Sequence, residues 1–146
     1  MQSAAPKIVT YVDSGVLIAA ATGRSTVSES ALEVIIDPGR EFASSPFVRL
    51  EVLPKAIYFR NEDEAAFYRT FFDEKVTRWA DRIEEIVEAG YREAYEAGLA
   101  ALDALHVAAA LLAGADEIVT IERPEKAIHR ARSIKIVTIH PHPAAS

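Results

Sequence analysis

Three acidic residues occupy positions from which they could do chemistry. Asp13 follows the run Ile8-Val9-Thr10-Tyr11-Val12 and precedes Ser14-Gly15. β-Branched and aromatic residues meeting a turn signal describe a buried strand with an acid at its end. Glu51 lies in the largely apolar Phe47-Val48-Arg49-Leu50-Glu51-Val52-Leu53, and Asp103 opens the run Leu102-Asp103-Ala104-Leu105-His106-Val107-Ala108. An acid that close to a core strand must be solvated, paired or bound to a cation. If the topology brings the helix ends to the first strand, these acids, together with Asp116 and Glu117 further along the chain, could form one oxygen-rich pocket. Clustered carboxylates repel one another and need a cation before all can ionise near neutral pH. With oxygen donors only and no cysteine in the chain, Mg2+ or Mn2+ is favoured over zinc. Such an ion can ionise a water molecule and neutralise charge building on a phosphodiester.

Each acid also has a plainer role. Asp13 can cap the helix that starts at Ser14 or Gly15. Glu51 can pair with Lys55 one helical turn on, for a few tenths of a kcal/mol. Asp103 is a first-turn acid that suits the helix dipole. His106, three residues later on the same face, is by itself more readily a hydrogen-bonded packing residue than a ligand. Asp116 and Glu117 precede a strand in a loop, where acids are common.

The elements that must position these groups follow from pattern. After the strand at residues 8–12, residues 16–21 start a helix, and 25–36 form another with Val27, Ala31, Val34 and Ile35 at helical spacing and Asp37-Pro38-Gly39 as its stop. A short strand at 41–44 leads to Ser45, a candidate cap for a helix with Pro46 in its first turn that runs through Lys55. Residues 61–75 form a helix opened by Glu62, Asp63 and Glu64, with a short strand at Val76-Thr77. Helices follow at 81–96, where Ile83, Val87, Tyr91 and Ala94 share a face, and at 102–113. Strands at 117–120 and 134–139 close the chain. Helices alternating with short apolar strands indicate an α/β fold with a parallel sheet covered on both faces. Functional groups in such sheets gather beyond the carboxyl ends of the strands, which selects Asp13 and Glu122 from 22 acidic residues.

The 146 residues fit one domain, 1–146, with short flexible ends at 1–6 and 141–146. No cysteine means no disulfide and no thiolate metal site. The first six residues lack the pattern of a signal peptide, and the longest apolar stretch, 104–113, is too short to span a bilayer. A cytoplasmic protein with no membrane association is expected. The net charge of −6 argues against nucleic-acid binding through bulk positive charge, although bound cations supply charge that this count omits. Between Glu122 and Lys135 the balance reverses to five basic residues against two acids, a local net of +3. A solvated surface is the ordinary explanation of such a run.

Val12-Asp13-Ser14-Gly15-Val16-Leu17-Ile18 resembles the opening signature of PIN domains, and Pro46-Phe47-Val48-Arg49-Leu50-Glu51-Val52 resembles their second motif. The block from Leu102 to Ala110, continuing through Gly114-Ala115-Asp116-Glu117-Ile118-Val119-Thr120, closely resembles the third and fourth motifs of VapC-type toxins. The likeness runs from residue 8 to about residue 140. It implies a three-layer α/β/α fold around a central parallel sheet and a Mg2+- or Mn2+-dependent endoribonuclease leaving 5′-phosphate and 3′-hydroxyl ends. Asp13, Glu51 and Asp103 would be its carboxylate core, catalytic and metal-holding, with Ser14 and Thr120 fixing carboxylates or waters behind them. Where the family commonly has Thr-x-Asp, this chain reads Thr120-Ile121-Glu122. Glu122 keeps the charge on an arm one methylene longer, and Asp116 is the next candidate to support a second metal.

The resemblance further implies a cognate antitoxin that wraps the toxin, which the negative charge would suit if the partner segment is basic. A homodimer is also expected, and Arg123, Lys126 and Arg130 are candidates to hold the RNA backbone. Phe67, Tyr68, Phe71 and Phe72 cluster on one helix; two are expected in the core, leaving two for a partner or a second copy. Two other readings compete. The altered fourth acid allows a PIN-like module that binds protein or RNA without cleaving it. A phosphatase or receiver-like domain with Asp13 as nucleophile lacks the Asp-x-Asp pattern and a suitably placed lysine.

Overall fold

Parallel strands need crossovers of a dozen or more residues, and helices supply them here. The computed structural model describes residues 5–141; the ends expected to be flexible lie outside it at residues 1–4 and 142–146. Strands β1 (Ile8–Val12), β2 (Arg40–Ser44), β3 (Val76–Trp79), β4 (Glu117–Thr120) and β5 (Lys135–Thr138) form one wholly parallel sheet in the order β3-β2-β1-β4-β5. Helices α1 (Ser14–Thr22), α2 (Ser28–Ile36), α3 (Pro46–Tyr58) and α4 (Glu62–Thr70) connect the strands on the outward path from β1 to β3, and α5 (Ile83–Ala97) and α6 (Ala101–Leu112) return to β4. Right-handed crossovers place these two groups on opposite faces. Accordingly α1 packs on α2, α3 and α4, while α5 packs on α6. The layers are those expected of an α/β/α sandwich. Among the described residues no single helix is long and apolar enough to cross a membrane.

Local chemistry explains most boundaries, and the departures have physical causes. The helix expected over 61–75 is α4 followed by a π-helical turn, Phe71–Lys75. Consecutive helical residues point about 100° apart, and the wider turn accommodates two neighbouring phenylalanines that are both buried. Phe71 meets Phe42 edge-on at 5.5 Å, and Phe72 lies 5.7 Å from Trp79. Tyr68 is buried as well and Phe67 half-buried. Three of the four aromatics are thus core, one more than expected. On α5 the expected apolar face is the outer one. Ile83, Val87 and Tyr91 are exposed, while Ile86, Gly90 and Glu93 face inward. A Cβ at Gly90 would lie 3.4 Å from Leu105 and 3.6 Å from the Ala104 carbonyl, so its absence lets α5 and α6 approach closely.

At the amino end of the sheet the charges are matched. Glu117, buried at the start of β4, accepts hydrogen bonds from Arg40 Nη1 and from Thr10 Oγ1, and Arg40 also bonds Asp37 through Nε. The far side of the fold is tied by another arginine. Arg130 Nε donates to the Ala97 carbonyl at 2.8 Å and Nη2 to Gly98 at 2.6 Å. Gly98 ends α5 with φ 66°, a conformation that disfavours other residues. The clamp fixes the turn that launches α6.

Arg40→Ala strands the Glu117 carboxylate in a buried position and is expected to cost about 3 kcal/mol of unfolding free energy. Urea denaturation measures this, and the double change Arg40→Leu with Glu117→Leu should recover most of it. Arg130→Leu is expected to cost about 1 kcal/mol and to speed amide exchange across residues 98–103. Arg132→Leu should leave both readings unchanged.

Candidate active site

β1 ends at the point where the chain's direction of travel across the sheet reverses. The first two crossovers run outward from β1 to β2 and β3, and the third returns to β4 on the other side of β1. A crevice opens beyond the carboxyl ends of two strands at such a switch point. Asp13 stands in it. Its amide donates to the Val119 carbonyl at 3.0 Å, which extends the pairing of β1 with β4 by one residue. Oδ1 accepts the Ser14 amide at 2.7 Å, and Oδ2 accepts the Thr120 hydroxyl at 2.9 Å. Asp13 is therefore both the cap of α1 and an acid at the switch point, two roles that do not compete.

Glu51 comes from α3 and turns inward rather than toward Lys55, which is exposed. Oε1 accepts the Ser14 hydroxyl at 2.7 Å and lies 2.6 Å from His106 Nε2. The other ring nitrogen, Nδ1, is 2.8 Å from the Tyr11 hydroxyl, which in turn meets Ser45 Oγ at 2.7 Å. Ser45 thus makes no side-chain bond to the start of α3, where the sequence suggested a cap; its hydroxyl is drawn into the interior by Tyr11. His106 is the hydrogen-bonded packing residue that its surroundings predicted, but one of its partners is a site acid. Tyr11 and Ser45 were not foreseen. A tyrosine in a buried strand needs a partner for its hydroxyl, which is a signal, but the sequence does not say which residue supplies it.

The electrostatics set the acids apart. Partial burial pushes the Glu51 carboxyl up, but the hydrogen bonds from His106 and Ser14 outweigh it and hold the group below its ordinary range. Asp103, half-buried in the first turn of α6, is raised, first by desolvation and then by the charge of Asp13, with a smaller contribution from Glu51. Burial raises the Tyr11 phenol far above its ordinary value, so it keeps its proton. The three acids therefore share one electrostatic field. Among the described residues no three carboxylate or imidazole groups are gathered closely enough to hold an ion as they stand. Asp13 is engaged by Thr120 and Ser14, and Glu51 by Ser14 and His106. The donor set is nonetheless oxygen-rich in the manner that Mg2+ and Mn2+ prefer, and Asp13, Glu51 and Asp103 are the residues that could hold such an ion.

The remaining candidates divide between the two ends of the sheet. Glu122 lies just past β4 at the same end as Asp13; its amide donates to Thr120 Oγ1 at 3.1 Å, and its carbonyl meets His129 Nε2 at 3.0 Å. Arg123 and Lys126 are exposed in the loop that follows. Arg130 has two donors committed to the α5–α6 turn, so its position is set by the fold. Asp116 is not brought to the cluster. It precedes β4 and accepts the Val9 amide through Oδ2 at 2.8 Å, about four strand residues or 13 Å from Asp13. Parallel pairing separates them, because the start of β4 aligns with the start of β1.

The model of the PIN domain matches residues 10–123. No curated protein matches in sequence. Among solved structures, VapBC2 from Rickettsia felis, bound to a DNA fragment from its promoter, aligns at 14% identity and TM-score 0.67 over 90% of this chain and 98% of that one. VapC20 from Mycobacterium tuberculosis, a toxin that cleaves the Sarcin-Ricin loop, aligns at 14% identity and TM-score 0.60, covering 75% of this chain and 86% of its own. FitAcB from Neisseria gonorrhoeae aligns at 13% identity and TM-score 0.57 over 88% and 96%. At these identities the likeness is one of fold, whereas the family match spans the strand ends, α3 and α6 that carry the acids: the chain belongs to the PIN-domain family.

Proposed function

We propose that the chain is a Mg2+- or Mn2+-dependent endoribonuclease and the toxin component of a toxin–antitoxin pair. The observation that carries this reading is the electrostatic field that Asp13, Glu51 and Asp103 share at the switch point, where burial and then the charges of Asp13 and Glu51 oppose ionisation of Asp103. A bound divalent ion supplies the positive charge that lets the three ionise together and that a phosphodiester needs as negative charge builds on it. The chain's own residues hold the acids in place. Thr120 and the Ser14 amide orient Asp13, while Ser14 and His106 orient Glu51. Arg123 and Lys126, at the same end of the sheet, are suited to hold backbone phosphates of RNA, and Glu122 to support a second ion.

Structures similar in fold include a sarcin–ricin-loop-cleaving toxin and a VapBC complex, which supports RNA as substrate and an antitoxin as partner. The net charge of −6 suits a basic partner segment. With Tyr68, Phe71 and Phe72 in the core and Phe67 half-buried, most of the apolar surface offered to an antitoxin or a second copy is elsewhere. Ile83, Val87, Tyr91 and Tyr95 form an exposed stripe on α5, and Ile57, Tyr58 and Phe59 are exposed at the end of α3. A cysteine-free composition suits the cytoplasm. Glutamate in the fourth acidic position favours a second reading, a module that binds RNA or protein without cutting it.

Cleavage of a mixed RNA pool by the purified chain is expected with Mg2+ or Mn2+, to stop with EDTA, and to vanish in Asp13→Asn and Asp103→Asn. Full metal-dependent cutting by Asp13→Asn would overturn the scheme. A folded, partner-free chain that neither cuts RNA nor binds Mn2+ would establish the binding module instead. In the Asp13→Asn background, Arg123→Ala and Lys126→Ala are each expected to reduce the slope of log affinity against log salt by about 0.7 for single-stranded RNA.

A further inference from the structure

We infer that His106 is a positioning residue, the middle of a buried hydrogen-bond chain from Ser45 through Tyr11 to Glu51 that sets the orientation of the Glu51 carboxylate. The inference rests on the nuclease reading above and extends it to residues that touch no reacting atom.

The direction of the chain follows from which groups can donate. A carboxylate only accepts, so the 2.6 Å contact between His106 Nε2 and Glu51 Oε1 places a proton on Nε2. A neutral imidazole then accepts at Nδ1, where the Tyr11 hydroxyl lies at 2.8 Å, and that hydroxyl donates. The Tyr11 oxygen can in turn accept the proton of Ser45 Oγ at 2.7 Å. Tyr11 and His106 each donate once and accept once along the chain, with Ser45 as its first donor and Glu51 as its final acceptor. The His106 ring is 3% exposed, and Tyr11 and Ser45 are fully buried, so water does not offer an easy substitute for any link. The fold thereby selects one tautomer, as the outer partner of a metal-ligating group commonly does.

The end of the chain is where that selection acts. A glutamate has three side-chain torsions, the last of them broad, and Glu51 is 31% exposed. Left to itself it would sample many orientations. Two donors from different helices, Ser14 Oγ on α1 and His106 Nε2 on α6, both land on Oε1. One carboxylate oxygen is pinned between two elements, which leaves Oε2 as the oxygen for a ligand. His106 also sits one turn beyond Asp103 on α6, so the same helix that delivers one acid orients another.

Side-chain 15N NMR of the full wild-type chain, with Mn2+ affinity read from the EPR signal of the free ion, tests this. The wild type is expected to show His106 protonated at Nε2 and accepting at Nδ1. His106→Leu is expected to weaken Mn2+ binding about tenfold or more. His106→Gln, whose amide N–H can replace the Nε2 donor, should restore most of it. Tyr11→Phe, which keeps the ring volume and removes one hydroxyl, should lose affinity to a smaller extent. A folded His106→Leu chain that binds Mn2+ as tightly as the wild type would overturn the positioning role alone. If His106→Leu does not fold, Tyr11→Phe and the wild-type tautomer decide: reduced affinity with Nε2 protonated supports the inference, and Nδ1 protonation in the wild type overturns it. A wild-type chain that binds no Mn2+ would overturn the metal reading itself, and this inference with it.

Discussion

The hydrogen bond from Thr120 to Asp13 joins two residues 107 positions apart in the chain, and the rest of the site depends on the strand order that makes it possible. β1 lies in the centre of the sheet because the chain first builds outward to β3 and then returns past its starting point to β4. No helix closes over the carboxyl ends of neighbouring strands where the crossovers diverge. An acid at the end of β1 therefore stands beside a hydroxyl at the end of β4, within reach of α3 and α6. Moving β4 to any other place in the order would leave Asp13 as a helix cap only.

The two ends of the sheet treat charge differently. At the amino end, Glu117 is buried but matched by Arg40 and Thr10, so its charge is spent on structure. At the carboxyl end, Asp13 and Glu51 are held by hydroxyls, an amide and an imidazole, none of which carries a fixed positive charge like that of arginine. Desolvation and mutual repulsion then appear in the raised carboxyl of Asp103. Buried or half-buried acids without a cationic side chain are costly to stability, and a fold keeps such a cost where a ligand can relieve it.

Sequence pattern determined a good deal here. The strands at 8–12 and 117–120, the α/β alternation and the acids at a strand end (Asp13) and a helix start (Asp103) follow from periodicity, capping and turn chemistry, because those depend on neighbours within one or two turns. Asp13 was legible for this reason, as an acid between a strand and a Ser-Gly turn, whereas Ser14 and Thr120 were singled out only through the family resemblance.

Tertiary structure alone decided the rest. Whether Glu51 faced Lys55 or the interior, and whether Ser45 capped a helix or bonded a tyrosine, depended on Ser14, Tyr11 and His106, residues 34 to 55 positions away. Asp116 and Glu122 look alike as acids flanking β4, but parallel pairing sends one to each end of the sheet. The outer face of α5 is apolar in pattern and exposed in fact, because Gly90 and the small residues of α6 allow a closer approach than the larger side chains would. Local sequence fixes the preferences of each segment; which side chains become partners is set by long-range packing, since hydrogen bonds and burial act between groups that the chain brings together only after it has folded.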